Sequence, residues 1–137
     1  MRLAISLLLV LVAMVPVAAA ECRPLAQRFE VLQETTTGLI GLVQARPVDW
    51  RAVRIPQEKR ADFATLRSAT DAMLPALQRY VATGKNAVAV LDDCRRYGAA
   101  TPAGQVSILQ TAVIAADRLV PLLVRYLVAY DAAFGVP

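Results

Sequence analysis

The sequence predicts an all-α protein, in which a cleaved secretory signal peptide precedes a single up-and-down bundle of four helices. Three observations lead to this prediction. The first 20 residues are apolar after one positive charge, apolar residues then recur at spacings of three and four, and there are two cysteines. The sequence has no alternating runs between turn residues, the pattern of β-hairpins. We expect a leader over residues 1–20 and one domain over residues 21–137.

The leader has the three parts of a signal peptide. Arg2 supplies the positive charge, residues 3–15 are apolar apart from one serine, and the triplet Ala18–Ala20 supplies the small residues that a signal peptidase requires. The apolar run is short for a bilayer span of about 20 residues, so cleavage after the triplet is favoured over an uncleaved anchor. Lipidation is disfavoured because Glu21, not a small residue, precedes Cys22. We expect a bacterial periplasmic protein or one secreted to the medium.

The two cysteines, Cys22 and Cys94, have no metal-type spacing. In an exported chain such a pair indicates a disulfide, which persists in an oxidising compartment. It would close a loop of about 70 residues and, on the chain-entropy account, contribute about 4 kcal/mol. We expect it to fasten the start of the first helix to the third.

The first helix is predicted to begin at Pro24, since proline suits the first helical position. Its apolar stripe has steps of four and three, with one polar step at Thr36: Leu25, Phe29, Leu32, Thr36, Leu39 and Val43. Pro47 and Pro56 then bracket a linker, in which one helical turn is expected after Asp49.

Two further helices are predicted before residue 100. The second resumes at about Gln57 and ends at Gly84, with a kink at Pro75, which removes a backbone donor. Asn86 is expected to cap a shorter third helix that continues to Tyr97, and Gly98 is expected to terminate it.

The last helix has the most regular pattern in the chain. Thr101-Pro102 opens it, and Pro121 is expected to bend it. Two apolar rows follow its length: Val106, Leu109, Val113, Ala116, Val120, Leu123, Leu127, Tyr130 and Phe134, and beside them Ile108, Ala112, Ala115, Leu119, Leu122 and Tyr126. Such a helix belongs at the centre of a bundle or in a membrane. A membrane is disfavoured because Asp117 and Arg118 would each cost about 2.5–3.5 kcal/mol near its middle.

The composition excludes several kinds of site. The chain has no histidine, the commonest general base and transition-metal ligand and the usual haem ligand. With both cysteines in a disulfide, no metal site and no cofactor is expected. The six glycines are dispersed, so there is no phosphate-binding loop. Asp92 and Asp93 are adjacent and point about 100° apart on a helix, so a solvated surface is the favoured interpretation.

One segment has the composition of a binding site. Residues 46–60 hold five of the 15 lysines and arginines and the only tryptophan, Trp50. Tryptophan and arginine dominate binding hot spots, and a linker between prolines can present them. Alternatively, Trp50 folds back onto the end of the bundle while the arginines stay solvated. The candidate partner-binding residues are Trp50, Arg51, Arg54, Arg46, Lys59 and Arg60.

The candidate segment suits an anionic partner. We expect an envelope or secreted protein with an acidic surface, and an anionic lipid or glycan has the same chemistry. Nucleic acid is disfavoured by the export signal and by a net charge of only +4 over the whole chain. The favoured function is a non-enzymatic binding or accessory protein of the cell envelope, such as an inhibitor, adaptor or immunity-type protein.

Two alternatives belong to other classes. A carrier would hold an apolar small molecule between the helices, in a cavity left by small residues and prolines: Gly38, Gly41, Ala112, Ala115, Ala116, Pro75 and Pro121. A histidine-independent enzyme would stabilise developing charge with cationic side chains, as secreted helical chorismate mutases do. No motif of that enzyme family aligns with this chain.

Overall fold

The structure is a computed structural model that describes residues 21–135. These residues form three α-helices and two single turns of 3₁₀ helix, with no strand among them, which confirms the all-α prediction. The helices are α1 (Arg23–Gln44), α2 (Arg60–Tyr97) and α3 (Ala103–Phe134). The 3₁₀ turns, Gln57–Lys59 and Gly98–Ala100, directly precede and follow α2.

The helix count differs from the prediction. α2 continues through Gly84 and Asn86, where the sequence indicated the end of one helix and the cap of the next. Residues 21–135 therefore form three helices and not four. A glycine inside a helix costs only about 1 kcal/mol relative to alanine, and the next turns of α2 bury Ala87 and Val90 in the core. The signal peptide predicted over residues 1–20 lies outside the described residues.

The end predicted for the third helix, at Gly98, is confirmed as the end of α2. Gly98 follows the last helical residue with φ of 53°, and its N–H donates to the carbonyl of Cys94. This left-handed conformation suits glycine because a Cβ would be strained there. Pro75 and Pro121 lie inside α2 and α3, which continue past them; the kinks expected at these prolines stay predictions.

The last helix, α3, is the common packing partner of the other two. It packs along α2 and along α1, whereas α1 and α2 touch each other at few positions. Both apolar rows predicted for α3 supply buried residues, because a helix with neighbours on two sides must be apolar over most of its circumference. Its buried residues are Leu109, Ala112, Val113, Ala115, Ala116, Leu119, Leu123, Tyr126, Ala129 and Ala133.

The core has two clusters, one toward each end of the bundle. The first joins the start of α1, the end of α2 and the start of α3, and it contains Cys22, Phe29, Leu91 and Leu109. The second joins the beginning of α2 to the end of α3, with the end of α1 packed against it. The three helices therefore run up, down and up.

The predicted disulfide lies at the end of the first cluster. Cys22 and Cys94 are bonded, with their Cα atoms 5.7 Å apart, and neither residue is exposed to solvent. This separation is ordinary for a disulfide. The bond links the residue before α1 to the last turn of α2, two helices with few contacts of their own. It thereby adds a covalent link between two helices that make few direct contacts with each other.

None of the helices within residues 21–135 combines the length and the apolar character that crossing a bilayer requires.

Hydrogen bonds with α3 hold the segment between α1 and α2 against the end of the bundle opposite the disulfide. The Tyr126 hydroxyl of α3 donates to the carbonyl of Arg46 at 2.6 Å. Lys59 Nζ donates to the carbonyl of Ala132 at 2.9 Å. The predicted turn after Asp49 is present, because the Asp49 carbonyl accepts from the N–H of Val53 at 2.9 Å. The segment between α1 and α2, predicted as a linker, therefore packs over the end of the bundle. We call residues 45–59 the cover.

The anchor at Tyr126 leads to a prediction about alkaline pH. Burial raises the pKa of Tyr126, and Tyr130 beside it raises it further. Because the folded-state pKa exceeds the unfolded value of about 10, this contribution to stability is complete below about pH 10 and is lost as the pH rises toward the folded-state pKa. Tyr126→Phe is expected to cost about 1 kcal/mol at neutral pH through the lost hydrogen bond. It should also make the free energy of unfolding fall less steeply above about pH 10.

Urea unfolding of both proteins at neutral and alkaline pH measures the two effects. Tyr97→Phe is the matched control, since Tyr97 is 51% exposed and its loss should leave the free energy of unfolding unchanged. Parallel pH profiles for wild type and Tyr126→Phe would contradict the role of this anchor.

Candidate functional site

The six predicted site residues lie on the cover and the first turn of α2, but the structure gives them different surroundings. Trp50 is half-buried, with its ring edge-on to the buried ring of Phe63 at a centroid distance of 6.4 Å. The guanidinium carbon of Arg67 lies 5.1 Å from the Trp50 ring centroid, on its face. A cation over an indole face is an attractive arrangement. Trp50 therefore packs onto the bundle end and still borders the surface.

A groove of about 450 Å³ opens beside Trp50. We call it the Trp50 groove. Its volume is within the range of about 300–1,000 Å³ typical of small binding sites, and its walls combine apolar side chains with two arginines. Its lining residues are Trp50, Ile55, Arg60, Phe63, Ala64 and Arg67.

The α2 side of the Trp50 groove is one face of the helix. Arg60, Ala64 and Arg67 stand at spacings of four and three, so their side chains share a face. The small Ala64 leaves room between the two arginines. Arg67 was missed from the sequence because the basic segment was bounded at residue 60. The helical spacing from Arg60 is the signal that would have found it.

Two of the predicted site residues act in the structure at helix ends. Arg46 Nη1 donates to the carbonyl of Leu42 in the last turn of α1, at 3.0 Å. Lys59 Nζ bonds the carbonyl of Ala132 in the last turn of α3 and lies 3.8 Å from a carboxylate oxygen of Asp62. Cations at these positions satisfy carbonyls that lack partners inside the helix. Arg46 therefore caps the end of α1, and Lys59 links the cover to the end of α3.

Four arginines near Trp50 have no carboxylate partner in the described part of the chain. Arg51 and Arg54 are exposed, and Arg60 and Arg67 border the Trp50 groove. Within residues 21–135, none of these four side chains forms an ion pair with a carboxylate. The surface around Trp50 consequently carries positive charges that no carboxylate of residues 21–135 pairs with.

The acidic residues considered from the sequence have other partners. Asp92 lies 3.6 Å from Arg95, while Asp93 Oδ2 accepts from the side-chain amide of Gln105 at 3.1 Å. Asp117 is paired with Arg28 of α1 at 2.9 Å. These carboxylates therefore contact neighbouring turns and helices. In the described part of the chain, no three side chains of the types that bind metals lie together.

The residues expected to leave a cavity between the helices have different surroundings in the structure. Ala112 and Ala116 are fully buried and pack in the core. Pro75 and Ala115 line a shallow groove of about 240 Å³, together with Arg79 and Arg118. Ala112 and Ala116 are thus part of the core, and Ala115 and Pro75 border a groove; the apolar cavity of the carrier hypothesis stays a prediction.

Comparison of the chain with protein-family models, with curated proteins and with solved structures finds no match in any of the three.

Proposed function

We propose that the chain is an exported, non-enzymatic binding protein whose Trp50 groove receives an acidic segment of another envelope or secreted protein. One observation carries the proposal: an apolar groove around Trp50 is bordered by arginines that lack a carboxylate partner within residues 21–135. An aliphatic or aromatic side chain of the partner would fill the groove. Its carboxylates would pair with Arg60 and Arg67.

The position of Trp50 supports this proposal. Trp50 contacts both Phe63 and Arg67, and the cover that carries it is hydrogen-bonded to α3 through Tyr126 and Lys59. The Trp50 side chain therefore has little freedom left to lose on binding, which favours affinity. Arg51 and Arg54 flank the groove in solvent, where exposed charge speeds association with an acidic surface more than it tightens the complex.

Export is the second part of the proposal. A disulfide between Cys22 and Cys94 is compatible with a periplasmic or extracellular location, and the leader predicted over residues 1–20 would direct the chain there. Protein purified from the cell envelope under non-reducing conditions is expected to begin at Glu21 and to contain no free thiol. Intact-mass measurement with and without thiol alkylation tests both statements. A mass that includes the leader, or two alkylated cysteines, would contradict this location.

The binding proposal predicts a contact at Ile55, which lines the groove and is 42% exposed. A photo-crosslinking phenylalanine analogue at this position is expected to bond to an envelope protein in living cells. Sequencing of the crosslinked segment should show an acidic stretch. Arg60→Glu combined with Arg67→Glu should reduce the crosslink at least about tenfold, because each substitution replaces an attraction with a repulsion.

The matched control is Arg79→Glu combined with Arg118→Glu. These two exposed arginines line the shallow groove between α2 and α3, so the same change in net charge should leave the crosslink intact. Thermal melting of both double variants checks that they fold. A crosslink that survives reversal of Arg60 and Arg67 would refute the proposal. A crosslink that forms only with lipid or glycan would also refute it.

A further inference from the structure

A second groove lies between α1 and α2, away from the Trp50 groove and sharing no residue with it. It follows from the packing: both helices lie against α3 and touch each other at few positions. Its volume is about 400 Å³. We call it the α1–α2 groove, and its lining residues are Phe29, Gln33, Tyr80, Val81, Gly84, Lys85 and Val88.

The walls of the α1–α2 groove are mainly apolar. Phe29 is fully buried, whereas Val81 and Val88 are 47% and 52% exposed. These valines are seven residues apart and so lie on one side of α2. Gly84 lies between them, and a Cβ built on it would meet nothing within 4 Å. The groove is therefore open above Gly84, and apolar surface is left uncovered on both sides of it.

The polar groups in and near the α1–α2 groove are few. Lys85 is the only charged residue that lines it, and no lining residue is acidic. Lys85 is exposed and forms no ion pair within the described part of the chain. Glu30, on the adjacent turn of α1, is paired with Arg95. Among the lining residues, the charge available to a ligand is thus the single positive one of Lys85.

We propose that the α1–α2 groove binds a single-chain fatty acid, with the apolar tail against Phe29, Val81 and Val88 and the carboxylate at Lys85. The apolar walls, the one unpaired cation and the absence of acidic lining residues match a ligand with a long apolar part and one negative charge. The volume lies within the range of about 300–1,000 Å³ usual for small-molecule sites. This site is independent of the protein-binding site proposed at Trp50.

The test uses dodecanoate as the probe and the mature, oxidised protein, with isothermal titration calorimetry and native mass spectrometry as the readouts. We expect a complex of one dodecanoate per chain. Gly84→Leu should weaken binding at least about tenfold, because the new side chain fills the open space above the helix. Gly104→Leu is the matched control: it adds the same side chain at another open helical glycine, outside the groove, and should leave the affinity unchanged.

The position of the charge is tested separately. Lys85→Glu should weaken dodecanoate binding roughly tenfold and should leave binding of the uncharged dodecanol unchanged. Arg54→Glu is the matched control: it changes the net charge by the same amount, but near the Trp50 groove, and should leave the dodecanoate affinity unchanged. The dodecanoate measurements do not involve the Trp50 groove, so they stay valid if the protein-binding proposal fails.

Three results would overturn the proposal. One is the absence of a one-to-one complex with dodecanoate for a protein that is folded and oxidised. Another is equal affinity of wild type and Gly84→Leu. The third is a dimer, seen by light scattering, that Gly84→Leu dissociates, because a second copy of the chain would then be the occupant of the groove.

Discussion

The burial of α3 between α1 and α2 is the constraint from which the rest of the structure follows. The helix has so few charged residues that neither of its apolar rows can face water without exposing a large patch. Leu109, Leu119 and Leu123 are fully buried, and they extend through both core clusters. With one helix covered from two sides, the other two helices are kept apart, and their mutual contacts are few.

This arrangement explains the position of the other stabilising interactions and of both grooves. At one end of the bundle the disulfide ties α1 to α2 where packing between them is sparse. At the other end the cover between these helices is bonded to α3. The α1–α2 groove is the space left along their length, and the Trp50 groove is formed where the cover meets α2. Both candidate sites therefore depend on α3, although it lines neither.

Much of the fold could be predicted from local signals. The helical spacing, the disulfide and the stop at Gly98 are each determined by residues close in sequence or by one pair of cysteines. The prediction that a helix ends at Gly84 was wrong, because burial of the neighbouring turns outweighs the small cost of one glycine. For the candidate site, the sequence indicated Trp50 but not its partner Arg67, which lies beyond the basic segment. The bond of Lys59 to the end of α3 is a tertiary contact between residues far apart in sequence, and no local pattern encodes it.

Of the three helices, α3 alone is covered on two sides, so it should be the most protected element. Amide hydrogen exchange, followed residue by residue in the oxidised protein, measures this protection. The amides of Leu109 to Tyr126 are expected to exchange most slowly and to require global unfolding, with those of α1 and α2 exchanging faster through local opening. Exchange in α3 as fast as in α1, with α2 the slowest, would contradict the arrangement.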